Sequence, residues 1–115
     1  MSDDAQIERA AAMAAAWWTE RLQQGDREAF RAFLLDHVRR ELRDAGECRL
    51  RCDYDPLGPL LDAVHAAGVE CMGMMFSAKG ILPTKRLLVV TPTELHAKEG
   101  YGNWTDAIPV PTEGT

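Results

Sequence analysis

The first half of the chain shows the hydrophobic repeat of α-helices. Between residues 5 and 24, apolar side chains recur every three or four positions, so they share one face of a helix. Ser2 or Asp3 can cap the start of this helix, and Gly25 is a suitable stop. The pattern therefore predicts a long first helix that ends at residue 24.

A second helix is predicted at residues 27–45. Asp26 can cap its start, and Gly46 is suited to end it. Its apolar stripe consists of Phe30, Phe33, Leu34, His37, Val38 and Leu42. Because the link between the two helices contains little more than Gly25 and Asp26, we expect an antiparallel helical hairpin over residues 1–46.

The hydrophobic period changes from helical to alternating in the second half of the chain. Residues 47–53 alternate strictly, which predicts a strand with one buried and one exposed face. Its inward positions are Cys48, Leu50 and Cys52, and its outward positions are Arg49 and Arg51. The next element is predicted to be a short helix at residues 60–67, capped by Asp55 or Gly58 and ended by Gly68.

Three further strands are predicted at residues 69–76, 85–91 and 93–100. The strand 85–91 is apolar on both faces, which is typical of a central strand. The first strand, the short helix and the second strand can form a right-handed crossover with parallel pairing, whereas the last strands favour antiparallel pairing. The chain after residue 100 is predicted to be irregular, with Trp104 and Ile108 as anchors against the body.

These elements together predict a single α+β domain over residues 1–115. The helical hairpin (1–46) and the short third helix pack on a four-stranded sheet, which is mixed or antiparallel. A strand, a helix and three strands within residues 47–110 supply this part of the fold. Residues 111–115 are predicted to be a loose tail.

The composition limits the classes of partner. The chain has a net charge of −5, whereas a general nucleic-acid-binding protein needs a basic field that displaces counterions. No apolar run approaches the ~20 residues that span a bilayer, so we expect no membrane contact. Three cysteines, an odd number, favour a reducing compartment over a disulfide framework, and we expect the cytoplasm of a bacterial host.

Residues 75–85, MFSAKGILPTK, form a basic stretch in an acidic chain. The polar residues of interest here are Ser77, Lys79, Lys85 and Arg86. We hypothesise that the loop 79–86 binds a small anion or the phosphate of a nucleotide, because no carboxylate lies between its cations. The loop lacks the G-x-x-x-x-G-K-[ST] order of NTPases, since its first lysine precedes Gly80 and a strand follows. The alternatives are a solvated turn and a protein-contact loop.

Asp53 and Asp55 are weak candidates for a Mg²⁺ site at the end of the first strand. The spacing predicts no third oxygen ligand, and a turn at Asp53 with a helix cap at Asp55 explains both residues. Cys48 and Cys52 do not suit zinc, because their Cα atoms lie roughly 13 Å apart in a strand. We therefore expect no metal, no cofactor and no catalytic residue.

Two groups of apolar and aromatic residues are candidates for a partner-binding surface. Met74 and Phe76 share one face of the predicted strand 69–76, and methionines suit adaptable contacts. Tyr101 and Trp104 follow the last predicted strand, and residues of these types often dominate the binding energy of an interface. The alternative for Met74 and Phe76 is packing in the core, and the alternative for Tyr101 and Trp104 is that Trp104 covers the end of the sheet while Gly100 and Gly102 turn the chain.

Three stretches of the second half, CDYDPLGPLLDA, MFSAKGILPTK and KEGYGNW, carry a resemblance. In this order and at this spacing they resemble small uncharacterised proteins of bacteriophages and prophages, over about residues 47–110. The resemblance implies a phage context and no catalytic residue. Our leading hypothesis is a non-enzymatic accessory protein that binds a host protein, and we also consider homo-oligomers. A small-anion-binding protein is the alternative, and a Mg²⁺-dependent enzyme that uses Asp53 and Asp55 ranks last.

Overall fold

The computed structural model describes residues 3–52, 58–70, 80–83, 85–100, 102 and 104–112. Within these residues the chain forms three helices and a four-stranded antiparallel sheet, so the predicted α+β class is confirmed. The helices are α1 (Asp3–Thr19), α2 (Arg27–Ala45) and α3 (Pro59–Ala66). The strands are β1 (Cys48–Cys52), β2 (Arg86–Val90), β3 (Glu94–Glu99) and β4 (Ile108–Pro109). No helix of the described residues is both long enough and apolar enough to cross a membrane.

Capping residues determine where α2 begins and ends. The Asp26 carboxylate accepts a hydrogen bond from the Ala29 N–H at 3.2 Å. Gly46 adopts a left-handed conformation with φ 76°, and its N–H donates to the Leu42 carbonyl at 3.0 Å. These bonds satisfy polar groups that a helix leaves unpaired at its ends, and both predicted limits of α2 are confirmed.

Helix α1 is shorter than predicted, because the chain tightens into turns at Arg21 and Leu22, whose N–H groups donate to residues three positions earlier, and then makes a tertiary contact at Gln23. Leu22 is buried in the core. The Gln23 N–H donates to the Ile81 carbonyl at 3.0 Å, a bond that a continued helix would not allow. The predicted end at residue 24 is therefore wrong, since the hydrophobic repeat does not show where the chain leaves the helix to bind another segment.

Strand β2 is central in the sheet, as its two apolar faces predicted. It lies between β1 and β3, and all the strand pairs of the described residues are antiparallel. The predicted parallel pairing requires the strand 69–76. Val69 and Glu70 are not in a strand, and residues 71–76 lie outside the described part of the chain.

The segment after residue 100 supplies the fourth strand of the sheet, although it was predicted to be irregular. Strand β4 pairs with the start of β3. The predicted anchors are also wrong, because Trp104 and Ile108 remain 46% and 37% exposed. Val110 is buried instead, and its N–H donates to the Thr93 carbonyl at 2.8 Å. A strand of two residues is too short for a hydrophobic repeat to reveal it.

One hydrophobic cluster joins the helices to one face of the sheet. Four alanines of α1, at positions 10, 11, 14 and 15, are almost completely buried, so neighbouring elements can approach this helix closely. Trp18 is completely buried and meets Trp17 edge to face, with 4.9 Å between the ring centroids. Within the described part of the chain, the Trp18 indole N–H has no hydrogen-bond partner. Burial of this ring therefore outweighs the loss of a hydrogen bond to water.

We predict that Gly25→Ala destabilises the protein more than Gly46→Ala does. Both glycines have positive φ, 97° and 76°, so alanine at either position strains the backbone by about 1 kcal/mol or more. A Cβ atom at residue 25 would also lie 2.7 Å from Val69 Cγ2 and 3.0 Å from the Ala67 carbonyl oxygen, whereas one at residue 46 would meet no atom of the described residues within 4 Å. Urea unfolding should show a difference between the two variants of at least about 1 kcal/mol. Equal losses of stability would contradict the close packing at Gly25.

Candidate functional site on the outer face of the sheet

The pleat of the sheet separates an apolar inner face from a mixed outer face. Cys48 and Leu50 of β1 lie in register with Val90 and Leu88 of β2, which belong to the core, and buried Cys52 lies in register with Arg86 at the end of β2. We call the opposite side of β1, β2 and β3 the outer face. It consists of Arg49, Arg51, Leu87, Val89, Glu94, His96 and Lys98, and the Glu94 carboxylate lies 3.0 Å from His96 Nε2. Three of these seven side chains, Arg49, Arg51 and Lys98, are basic, and one, Glu94, is acidic.

A cavity of about 450 Å³ opens at one end of the outer face, and we call it the cationic cavity. Among the described residues that line it, five are basic and none is acidic. The basic residues are Arg49, Arg51, Lys85, Arg86 and Lys98, and the others are Leu87, Gly100 and Trp104. Since the whole chain has a net charge of −5, the cavity is a local reversal of sign.

Lys85 lies at the end of the cationic cavity in an unusual backbone conformation. Its φ is 59°, and no other non-glycine residue of the described chain has a positive φ. Its carbonyl accepts a hydrogen bond from the Gly100 N–H at 2.8 Å, which joins the start of β2 to the end of β3. A left-handed lysine costs about 1 kcal/mol of folding free energy, and such residues occur often at binding sites. The bond to Gly100 keeps Lys85 at the cavity despite this strain.

Neighbouring groups orient two other cations of the cavity. The Arg49 Nε atom lies 2.9 Å from a carboxylate oxygen of Glu47, and both side chains are well exposed. Solvent screens such a pair, so it contributes about 0–1 kcal/mol. The Lys98 Nζ atom lies 5.9 Å from the centroid of the Trp104 ring, within range of a weak cation–π interaction. An anionic ligand can therefore compete with Glu47 for Arg49 at little cost in stability.

Trp104 borders both the cationic cavity and a second hollow of about 390 Å³, which we call the apolar hollow. Among the described residues, the apolar hollow is lined by Arg49, Val89, His96 and Trp104. The Thr105 N–H donates to the Ala97 carbonyl at 2.8 Å, which fixes the chain beside the indole to β3. The Trp104 side chain is therefore presented to solvent from a backbone held on the sheet.

Arg86, which the sequence placed in the basic loop, forms an ion pair with Glu99. The Glu99 Oε1 atom lies 3.0 Å from Arg86 Nε and 3.1 Å from Arg21 Nε. The Arg21 guanidinium also stacks on Trp17, with 3.6 Å to the ring centroid. The hydrogen bond from Arg21, together with the charges of Arg21 and Arg86, lowers the pKa of Glu99. Glu99 thus links the sheet to Arg21, which follows α1 and stacks on its Trp17, while Arg86 pairs with Glu99 and also lines the cationic cavity.

The structure brings together only some of the residues predicted to bind ligands. Lys85, Arg86 and Trp104 line the cationic cavity, and the strand register adds a carboxylate, Glu99, beside Arg86 that the loop sequence did not predict. The other candidates lie outside the described residues, and they are Asp53, Asp55, Met74, Phe76, Ser77, Lys79 and Tyr101. Within the described residues, no three His, Cys, Asp or Glu side chains lie close enough to hold a metal ion.

Sequence reasoning missed Arg49, Arg51 and Lys98 as members of one site. The alternation of β1 placed both arginines on its outward side, but it did not show which residues stand beside them. The register pairs Arg51 with Leu87 and Leu87 with Lys98, so these three side chains form a row across the sheet. Alternation in β1 and β3 was the available signal, and the order of the strands was the missing information.

We predict that Cys48 and Cys52 resist alkylation in the folded protein. Both thiols are buried, and burial raises the pKa of Cys48 to about 12, which suppresses its reactive thiolate. After treatment with iodoacetamide at about pH 8, peptide mass spectrometry should find both unmodified in buffer and modified in urea. Trypsin separates the two cysteines because it cleaves after Arg49 and Arg51. Labelling of Cys48 in buffer at the rate seen in urea would contradict its buried position.

We predict that Glu99→Gln reduces the sensitivity of the protein to acid. The folded-state pKa of Glu99 lies below its ordinary value of 4.5, so its contribution to stability is complete above that pH and is lost as the pH falls through the folded-state pKa. The variant should lose about 1 kcal/mol at neutral pH, since the carboxylate is partly exposed and screened. Urea unfolding at a series of pH values should show that the free energy of unfolding falls less steeply below about pH 4.5 in the variant than in the wild type. We call this fall at low pH the acid limb.

Glu28→Gln is the matched control for this measurement, because the Glu28 side chain is 81% exposed and pairs only with its helical neighbour Arg31 among the ion pairs of the described chain. It should keep the acid limb of the wild type. If Glu99→Gln also kept that limb, the role of the Arg21–Glu99–Arg86 cluster in acid sensitivity would be refuted.

No protein-family model matches this chain, and no curated protein matches it. The function must therefore be inferred from the chemistry of the outer face. The relevant features are the five cations of the cationic cavity and the exposed ring of Trp104 beside the apolar hollow.

Proposed function

We propose that this protein is a phage-type accessory protein that acts by binding a host protein in the bacterial cytoplasm, without catalysing a reaction. The observation that carries the proposal is the 46% exposed side chain of Trp104 beside the apolar hollow. Tryptophan and arginine are among the residues that most often dominate the binding energy of interfaces, and Arg49 lines the same hollow. The outer face is therefore the contact surface in this proposal.

The partner that fits this surface is a protein segment in which an apolar side chain stands next to acidic ones. Trp104 offers most of the apolar contact area in the hollow, the nearly buried Val89 adds a small part, and Arg49 also lines it. The adjoining cationic cavity adds Arg51 and Lys98. An acidic segment meets complementary charge along this face, whereas a basic segment is repelled. Charge complementarity therefore favours an acidic partner.

The phage part of the proposal is supported by the sequence resemblance over about residues 47–110. Small acidic proteins in a phage context often act by binding a host component, which agrees with a surface suited to contact. A host protein is the partner we favour, and assembly of two copies through the same face is the competing arrangement.

We predict that Trp104→Ala removes the host partner while a distant substitution does not. Wild type, Trp104→Ala and Arg31→Ala would be used as baits in a host lysate. Arg31 is exposed on α2 and lines neither cavity, so its loss controls for the removal of a surface side chain. A specific partner should remain with Arg31→Ala and fall at least about tenfold with Trp104→Ala, as expected for a dominant interface residue. When the partner is purified and titrated with each bait, Trp104→Ala should again bind it at least about tenfold more weakly than Arg31→Ala does.

Equal binding of that purified partner to wild type and Trp104→Ala would contradict the proposed contact surface. Solution mass measurement tests the competing arrangement. A wild-type dimer that becomes monomeric in Trp104→Ala would assign this face to a second copy of the chain and would count against a host partner.

A further inference from the structure

We infer that the cationic cavity is a binding site for a nucleoside phosphate, with the phosphate groups on its basic side chains and the base against Trp104. This inference goes beyond the proposed host-protein contact, because it assigns a small ligand to a cavity at one end of the outer face. The site also differs from the predicted loop 79–86, since Arg49, Arg51 and Lys98 belong to strands.

The charge of the cavity favours a ligand with several negative charges. Its described lining contains five basic residues and no acidic one. A single carboxylate can engage one or two of these cations, whereas the oxygens of a di- or triphosphate can reach several. Arg49 and Arg51 lie two positions apart on the exposed side of β1, so their side chains leave the sheet in the same direction. Each guanidinium presents a planar set of N–H donors that matches phosphate oxygens.

The arrangement of the outer face places an aromatic contact next to the cations. Arg51, Leu87 and Lys98 form one row across β1, β2 and β3. The Lys98 Nζ atom lies 5.9 Å from the centroid of the exposed Trp104 ring. A ligand whose phosphate binds Lys98 therefore has its next group close to the indole, where a flat base can stack. This adjacency selects a nucleoside phosphate over a simple inorganic anion.

The volume of the cavity and the strained backbone of Lys85 agree with a site for a small ligand. Its volume of about 450 Å³ lies within the roughly 300–1,000 Å³ of small-molecule sites. Lys85 occupies a left-handed conformation, φ 59°, that glycine or asparagine adopts at lower energy. The charge of Lys85 is therefore placed at the cavity by a backbone conformation that a lysine adopts at a cost.

The first experiment titrates the wild-type chain with ATP, tripolyphosphate and adenosine by calorimetry and by tryptophan fluorescence. Trp17 and Trp18 are buried, so Trp104 is the exposed tryptophan that a stacked base can quench. We expect ATP to bind with quenching and to bind at least about fivefold more tightly than tripolyphosphate, which lacks the base. Adenosine, which lacks the phosphates, should bind at least about tenfold more weakly than ATP. Added salt should weaken ATP binding, because the contacts are ionic.

The second experiment removes single cations while keeping the fold. Arg51→Gln and Lys98→Gln each delete one charge, and Lys85→Asn deletes a third with a residue that tolerates a left-handed backbone. Each variant should bind ATP at least about tenfold more weakly than the wild type. Trp104→Ala should lose the fluorescence response and bind ATP no better than tripolyphosphate. Arg31→Gln, outside the cavity, should bind ATP as the wild type does.

Three results would each overturn the inference: no ATP binding, equal affinity for ATP and tripolyphosphate, or unchanged ATP affinity in all three cation variants. Unchanged unfolding midpoints of the ligand-free variants would show that a loss of binding is not a loss of fold, and a variant with a lowered midpoint would be replaced by Arg49→Gln. The capture of a host partner is measured without nucleotide. A failure of ATP binding is therefore distinguishable from a failure of the proposed function.

Discussion

The antiparallel register of β1, β2 and β3 is the constraint on which both the core and the outer face depend. It aligns Leu50, Leu88 and Ala97 on the inner face, where all three are almost completely buried against the helices. Because side chains alternate along a strand, a shift of β1 by one residue would turn Arg49 and Arg51 into the core. Burial of an unpaired charge costs several kcal/mol, a large part of the stability of a domain this small. The burial of one face thus selects a single register.

The same register assembles a site that no single strand contains. Once Leu50 pairs with Leu88, Arg51 must stand opposite Leu87, and Lys98 follows on the next strand. The turn held by the Lys85 carbonyl and the Gly100 N–H then adds a further cation at the end of that row. Arg49, Arg51 and Lys98 of this site share their backbone with the core, since the two faces belong to the same hydrogen-bonded strands.

Local features of the chain were predictable from its sequence, and long-range pairing was not. The start and the end of α2 were predicted correctly from Asp26 and Gly46, because capping depends on groups within a few residues. The alternation of β1 was correct because burial repeats at every second residue. Strand β4 and the early end of α1 were missed, since both depend on partners far along the chain: β3 for the one, and Ile81 for the other. Lys85 and Arg86 were found as basic residues, but their neighbours Arg49 and Lys98 come from other strands.

The net charge of the chain and the charge of its cavity lead to different expectations for different anions. A long nucleic acid extends well beyond the cavity and meets the acidic remainder of the surface, so the net charge of −5 opposes it. At physiological salt, charges farther apart than about 8 Å are largely screened from one another. A ligand that fits within the cavity therefore responds mainly to its five cations and to the adjacent carboxylates of Glu47 and Glu99, and only weakly to distant carboxylates. Glu99 offsets the charge of Arg86 and Arg21, with which it pairs at the edge of the sheet. Arg51 and Lys98 lie on the opposite, outer face. An acidic protein can in this way hold a selective site for a small, highly charged anion while it repels extended polyanions.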